Sequence, residues 1–362
     1  MSVDNDDLAA LRQRIDGIDD QILELVSERA RLAEEVARAK ARRGEALKVY
    51  RPEREAEILR RLVERNRGPL TREQVTVLFR EVMSACRALQ QPLTVAFLGP
   101  QGTFTEEAAS KHFGHDAGMS PQATIGGVFR EVESGAAHYG VVPVENSSEG
   151  VVSHTLDRFL DSELAIVGEV ELRIHHALAS HAGGLTSVER VYSHQQGLSQ
   201  CRAWLETHLP QAERHPVSST AEAARLAALE PNAAAIASEA AAERYGVPLL
   251  QERIEDYHGN TTRFLVLGYQ SPPPSGHDKT SLVVSSANRS GLLFQLLEPL
   301  ARNGIDMTRI ESRPARQQGV WEYVFFIDIL GHAGDEHLRG PLEEMRQRAS
   351  LFRVLGSYPR AI

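Results

Sequence analysis

The chain is poor in cysteine, in aromatic residues and in long apolar runs. Its two cysteines, Cys86 and Cys201, stand far apart and in no Cys-x-x-Cys pattern, which excludes a disulfide framework and a cysteine-built zinc site. Fourteen histidines are scattered, and the pair His175-His176 lacks the spacing with which a helix holds a metal; no metal and no other cofactor is expected. No stretch of about 18 apolar residues occurs, so no transmembrane helix is expected. The N-terminus is acidic and has no apolar signal core, and the expectation is a cytoplasmic protein without a membrane partner. Positive charge is also short: 40 Lys+Arg face 49 Asp+Glu, a net charge of −9. No basic run forms a nucleic-acid patch.

What is present is ordinary globular material, 42% hydrophobic and 25% charged over 362 residues, a length that suggests two or three domains. Charge is unevenly spread. Residues 1–90 hold eighteen cations against seventeen anions, and sixteen of the cations are Arg, the side chain suited to bidentate carboxylate binding. In that region Leu8, Leu11, Ile15, Ile18, Ile22, Leu25, Leu32 and Val36 recur at steps of three and four. The spacing predicts a helix over 6–42, roughly 55 Å long at ~1.5 Å per residue. A 90-residue module cannot cover it alone, so it is expected to pack on the same helix of a second chain. Pro52 suits the first turn of a second helix, and Thr71-Arg72-Glu73-Gln74 is a capping box opening a third. Arg29 and Lys40, eleven residues apart, share a face, whereas Arg12 lies about 25 Å from Arg29 along the axis. In an antiparallel dimer Arg12 of one chain meets Arg29 and Lys40 of the other, the geometry of a shared dicarboxylate site. Spacing alone equally allows a solvent-facing charged stripe.

Leu11-Arg12, Ile15-Asp16, Glu28-Arg29, Leu32-Ala33, Lys40 and Arg54-Glu55 resemble the all-helical chorismate mutase family over residues 8–90. The resemblance implies that Arg12 (from the partner chain), Arg29 and Arg54 bind the substrate. It also implies that Lys40 and Gln90 flank the ether oxygen and that Glu55 holds the ring hydroxyl. The conversion of chorismate to prephenate is pericyclic. It needs a dicarboxylate held in a compact conformer and cations at the oxygen that gains charge, and no nucleophile.

After Pro92 the character changes to α/β. Thr94–Leu98 reads as a strand, followed by Gly99-Pro100-Gln101-Gly102-Thr103-Phe104-Thr105-Glu106, where Thr103 and Glu106 suggest a capping box. A strand Val141–Val144 ends in Glu145-Asn146-Ser147-Ser148-Glu149-Gly150, polar residues at the carboxyl end where open α/β sheets bind ligands. Near 165–178 the chain is expected to leave for a second lobe. That lobe carries Ser193-His194-Gln195-Gln196, a helix with Gln200 and Trp204, an Ala-rich helix over 221–229, and Ala233–Ala237 running into Ser238-Glu239. The stretch Gly259-Asn260-Thr261-Thr262-Arg263-Phe264 is expected to bring it back. Taken alone, it reads as a turn into a strand with Arg263 in a salt bridge.

Taken in order, Gly99-Pro100-x-Gly102-Thr103-Phe104, Glu145-Asn146-Ser147, Ser193-His194-x-Gln196, Ser238-Glu239 and Thr261-Thr262-Arg263-Phe264 resemble prephenate dehydratase. The resemblance implies Thr262 at the catalytic centre, with Glu145, Asn146, Ser147, Ser193, Gln200 and Arg263 in the pocket. A threonine hydroxyl is a weak acid, so Thr262 is read as orienting the leaving hydroxyl. Water, or Glu145 with a raised pKa, supplies the proton, and Arg263 clamps a carboxylate. His194 is read as structural.

A linker, residues 271–278, precedes a β-α-β-β-α-β pattern, which is ferredoxin-like. That module, 279–362, resembles an ACT domain. Gly291-Leu292-Leu293 and Glu311-Ser312-Arg313-Pro314 look like the family's phenylalanine-sensing motifs. The resemblance implies L-phenylalanine as an allosteric inhibitor. The fold class expected is therefore multidomain: an all-α module of three helices (1–91) in an intertwined dimer, a two-lobed α/β domain (93–270) and a ferredoxin-like α+β domain. The substrates implied are chorismate and prephenate, and the assembly a homodimer or higher homo-oligomer. Three other readings stay open at this point: a dehydratase acting on arogenate, a non-catalytic amino-acid sensor, and a helical module that only dimerises.

Overall fold

The computed structural model describes residues 3–43, 50–286, 290–314 and 323–361. Helix α1 (Val3–Arg42) is unbroken for 40 residues, and α2 (Pro52–Arg65) and α3 (Arg72–Ala88) follow. The capping box at Thr71 forms as its sequence predicts: its hydroxyl accepts from the Gln74 backbone, and Gln74 accepts from the Thr71 N–H. Within this chain α1 packs only on α3 to any extent. Leu8, Leu11, Ile15, Ile18, Ile22 and Leu25 are left about half exposed or more.

The first α/β lobe is one mixed sheet. Its strands are β1 (Thr94–Leu98), β2 (Gly118–Gln122), β3 (Tyr139–Asn146), the short β4 (Gly150–Val151), β5 (Ala165–Arg173) and β11 (Thr261–Gly268). The order is β2-β1-β3-β11-β5, with β1 parallel to both neighbours and β11 antiparallel to both of its own. Helices α4 (Phe104–Phe113), α5 (Ile125–Glu133) and α6 (Ser153–Asp161) cover it. The second lobe holds β6 (Ala177–Ser180), β7 (Arg190–His194), β8 (Glu213–Val217), β9 (Ala233–Ala237) and β10 (Leu249–Gln251), in the order β10-β6-β9-β7-β8. Helices α7 (Gln195–Gln200), α8 (Arg202–His208), α9 (Thr220–Ala227) and α10 (Glu239–Arg244) accompany it. The chain crosses out between β5 and β6 and returns on β11, as the sequence predicts.

The C-terminal module is β12 (Asp278–Ser286), α11 (Leu292–Arg302), β13 (Met307–Pro314), β14 (Tyr323–Leu330), α12 (Glu336–Arg348) and β15 (Leu351–Pro359). Its antiparallel sheet runs β13-β14-β12-β15, a ferredoxin-like order. One face packs on α11 and α12. The other contributes Val283, Val324, Phe326, Leu355 and Tyr358 to a core shared with Val142, Val144, Ile166, Leu265 and Leu267 of the first lobe. Gly356 approaches the Ile166 carbonyl so closely that no side chain fits between β15 and β5. The segment after Gly268 is pinned: Arg60 donates to the Ser275 carbonyl at 2.8 Å, and Asp278 accepts from the Ser275 hydroxyl at 2.7 Å.

One capping expectation is corrected. Helix α4 does begin after Thr103, but the Thr103 hydroxyl donates to the Leu98 carbonyl at 3.0 Å, and no side-chain cap forms. Glu106 accepts instead from the Gly102 N–H. The free carbonyl at the end of β1 outcompetes the helix for the threonine.

Candidate functional site

The cleft between the two lobes has a volume of about 200 Å³. From the first lobe it is lined by Gly99, Thr103–Thr105, Asn146 and Thr262. From the second lobe and the crossings come Ile174, His176, His194, Gln196, Gln200, Ser219, Thr220 and Asn260. The starts of α4 and α9 both open onto it. Such helix starts offer backbone N–H groups to anions.

Thr262 and Asn146 face each other across β11 and β3. Both are buried, and Asn146 Nδ2 donates to Thr262 Oγ1 at 2.8 Å. The orientation of the amide is fixed from behind. Asn146 Oδ1 accepts from the backbone N–H of Ser148 at 2.9 Å and of Glu149 at 3.2 Å, so the nitrogen must face the threonine. Thr262 therefore accepts from Asn146 and keeps its own proton to donate. Ser147 sits at the rim and accepts from the Thr261 N–H at 2.9 Å.

Four residues expected in the pocket, Arg263, Glu145, Ser193 and the exposed Ser147, stand outside the lining. Successive residues of a strand point to opposite faces, so Arg263 turns away from the cleft that Thr262 faces. It is buried against Glu169 (2.8 Å), Asp328 (2.5 Å) and Tyr358 (3.0 Å), the last two from the C-terminal module. Burial opposes its charge, but Tyr358, Asp328 and Glu169 outweigh burial and hold its pKa above the ordinary arginine value. Lys279 completes the cluster at 2.7 Å from Glu169. Glu145 lies in register with Arg263 and ion-pairs with Arg309 of β13 at 2.9 Å. A register shift beside it turns Val144 and Glu145 alike toward the C-terminal module. Ser193 is fully buried, donates to the Ile236 carbonyl at 2.8 Å and lies under Gly197. His194, expected to be structural, lines the cleft. His176, assigned no role from the sequence, lines it too; its only sequence signal was a histidine at a strand junction.

In the helical module Arg29 donates to the Val82 carbonyl at 3.4 Å, and Gln90 donates to the Cys86 carbonyl one turn further along α3, also at 3.4 Å. Arg54 pairs with Glu57 at 2.7 Å on the surface. Glu55 pairs through one carboxylate oxygen with the buried Arg87, which also donates to the Phe113 carbonyl of α4. Arg12 and Lys40 lie on α1, Arg12 within its uncovered stretch. In the C-terminal module Gly291 takes a left-handed φ of 77° at the start of α11, a conformation that favours glycine. Leu292 is buried and Leu293 is partly exposed. On β13, Glu311, Ser312, Arg313 and Pro314 run toward the first lobe, and Arg313 donates to Ser153 Oγ at 2.6 Å and pairs with Asp157 at 3.3 Å.

A two-lobed α/β domain whose cleft holds a threonine able to donate, a helical module before it and a ferredoxin-like module behind it define a multidomain protein with a candidate ligand cleft between its lobes. The family described as chorismate mutase type II matches residues 11–91, prephenate dehydratase matches 95–272, and the ACT domain matches 280–346. The chain is 53% identical to the bifunctional chorismate mutase/prephenate dehydratase of Pseudomonas aeruginosa, over 99% of each chain. It is 54% identical to that of Stutzerimonas stutzeri, again over 99% of each. Among solved structures, a prephenate dehydratase from Arthrobacter aurescens in complex with L-Phe superposes with a TM-score of 0.69 at 37% identity, covering 74% of this chain and 90% of that one. The chain belongs to the bifunctional chorismate mutase/prephenate dehydratases.

Proposed function

We propose that the helical module converts chorismate to prephenate, and that the cleft at Thr262 converts prephenate to phenylpyruvate with loss of CO2 and water. The assignment of residues rests chiefly on one observation, the Asn146–Thr262 pair, whose fixed polarity leaves the threonine proton free. Thr262 donates to the departing ring hydroxyl and holds it in line for loss, and aromatisation drives the reaction. With Glu145 turned away, solvent water is the proton source. Among the described residues no Lys or Arg lines the cleft, so the substrate carboxylates are received by the backbone N–H groups at the start of α4 and by neutral side chains. A weakly held carboxylate suits one that must leave as CO2.

Arg29, Lys40, Arg54 and Gln90, with Arg12 from a second copy of the chain, serve the mutase step in a homodimer. L-phenylalanine acts through Gly291–Leu293 and Glu311–Pro314, and the enzyme works in the cytoplasm. Both activities are assayed on purified Thr262→Ala. Dehydratase turnover is expected to fall by at least about 100-fold, the cost of removing one positioned donor, with mutase turnover retained. Equal loss of both activities in a folded protein would sink the assignment of Thr262.

A further inference from the structure

His176 lies on the crossing between β5 and β6 that carries the chain from one lobe to the other. Its side chain is 3% exposed and stands edge-on to Phe104, ring centres 5.6 Å apart. Its Nε2 is 2.8 Å from Gln200 Oε1. Two buried atoms here have no partner: His176 Nδ1 and Gln200 Nε2. Both side chains line the cleft. Buried donors and acceptors are normally satisfied, so an orphan pair at a cleft needs a reason.

The direction of each hydrogen bond around them follows from its neighbours. The Thr261 backbone N–H can only donate, and it donates to Ser147 Oγ at 2.9 Å. The Ser147 proton is then free for Asn260 Oδ1 at 3.4 Å, and the Ser148 hydroxyl donates to the same oxygen at 3.2 Å. With Oδ1 accepting, Asn260 turns its Nδ2 to Gln200 Oε1 at 3.2 Å. That oxygen is thus an acceptor, so His176 carries its proton on Nε2 and donates as well. The NH2 of Gln200 is left with no partner in the protein. Burial holds the imidazole pKa below its ordinary 6.5 against the opposing pull of the Gln200 bond, in keeping with a neutral ring with one N–H.

We propose that His176 is a positioning residue for the dehydratase reaction: by donating to Gln200 Oε1 it locks the amide so that the Gln200 NH2 donates to a carboxylate oxygen of prephenate. This rests on the reading of the cleft as the dehydratase site. Without the imidazole N–H only the longer Asn260 bond, 3.2 Å against 2.8 Å, holds Oε1, and the amide flips more readily to present its oxygen, which repels a carboxylate. The ring itself moves no proton in the reaction.

The test uses the full-length chain carrying His176→Leu, His176→Gln, Gln200→Leu or His176→Leu with Gln200→Leu. Mutase turnover on each sample checks folding, and Thr262→Ala checks the site. His176→Leu is expected to lower kcat/KM for prephenate by about 10- to 100-fold, mostly through KM. His176→Gln, whose amide can donate to the same oxygen, is expected to recover most of it. The double variant is expected to be no worse than Gln200→Leu alone, because residues that act through one another are non-additive. Additive losses in the double variant, or wild-type KM in His176→Leu, would overturn the proposal. So would a His176→Gln enzyme that is as impaired as His176→Leu and lacks a limb of the wild-type pH profile, since that marks proton transfer. Where His176→Leu fails to fold, the His176→Gln comparison decides. If Thr262→Ala keeps its dehydratase activity, the reading of the cleft fails first.

Discussion

Single residues at module junctions set how this chain responds to acid. His112 at the end of α4 is enclosed by Tyr50 and Phe113, and the Tyr50 hydroxyl bonds its Nε2. Burial, then Arg80 and Arg87, push its pKa from 6.5 down to about 3. The unfolded chain therefore takes up a proton below about pH 6.5 that the folded chain refuses until about pH 3. The stability this group contributes is complete above pH 6.5 and is lost as pH falls toward 3. At ~1.4 kcal/mol per unit, His112 alone is expected to remove about 2 kcal/mol of stability between pH 7 and pH 5. Urea unfolding at the two pH values, in the wild type and in His112→Gln, measures it. The glutamine side chain keeps an acceptor for Tyr50 but does not titrate, so it should flatten the pH dependence by that amount. An unchanged slope would remove His112 from the account. Such a residue cannot be recognised from the sequence, because its pKa depends first on burial, to which Tyr50 of a different module contributes, and then on an arginine pair from that module.

At the scale of elements, β3 and β11 are two-faced, and this is where reading the sequence succeeded and failed together. Residue types and spacing are enough to place β1, β3, β9 and β11, the crossing between lobes, the β-α-β-β-α-β order and the Thr71 capping box, because each depends on local periodicity or local hydrogen bonding; the short or polar edge strands β2, β8 and β10 carry no such signal. The facing of individual side chains was harder. Alternation alone separates Thr262 from Arg263, and the plain reading of Arg263 as a salt-bridge residue was the right one. Between Val144 and Glu145 a register shift breaks the alternation, and no local residue type announces it. Ser193 and His194 exchange roles because a small buried hydroxyl is needed under Gly197. The consequence is that the strands carrying Asn146 and Thr262 form an ionic seam with the C-terminal module on their opposite face. Arg263→Ala leaves Asp328 without its cation and Glu169 with Lys279 alone, their side chains being 5% and 2% exposed. Removing one partner of a buried pair costs about 3–5 kcal/mol. The melting temperature of Arg263→Ala is thus expected to drop by several degrees, with KM for prephenate changed less than about threefold. Glu145→Gln is expected to keep its dehydratase kcat. A large rise in KM in Arg263→Ala, with stability intact, would return Arg263 to the substrate.

The whole molecule is organised around a helix it does not cover. Helix α1 is about 60 Å long at ~1.5 Å per residue, and its apolar stripe from Leu8 to Leu25 is the largest run of exposed aliphatic side chains among the described residues. Arg12 lies within that stripe and Arg29 near the contact with α3, too far apart along one helix to grip one small dicarboxylate. The homodimer proposed above accounts for both facts: in it an antiparallel copy of α1 would cover the stripe and bring its Arg12 to the first chain's Arg29. The arrangement predicts subunit complementation. Arg12→Ala and Arg29→Ala enzymes should each be nearly without mutase activity. In a co-expressed mixture half of the dimers are mixed, and each mixed dimer holds one site with neither substitution and one with both. Mutase activity should therefore return to about a quarter of wild type. Dehydratase activity, measured on the same samples, should stay at the wild-type level throughout, since its cleft is built within one chain. If the mixture is as inactive as its components, while a size measurement shows mixed dimers, both arginines come from one chain and the shared site is wrong.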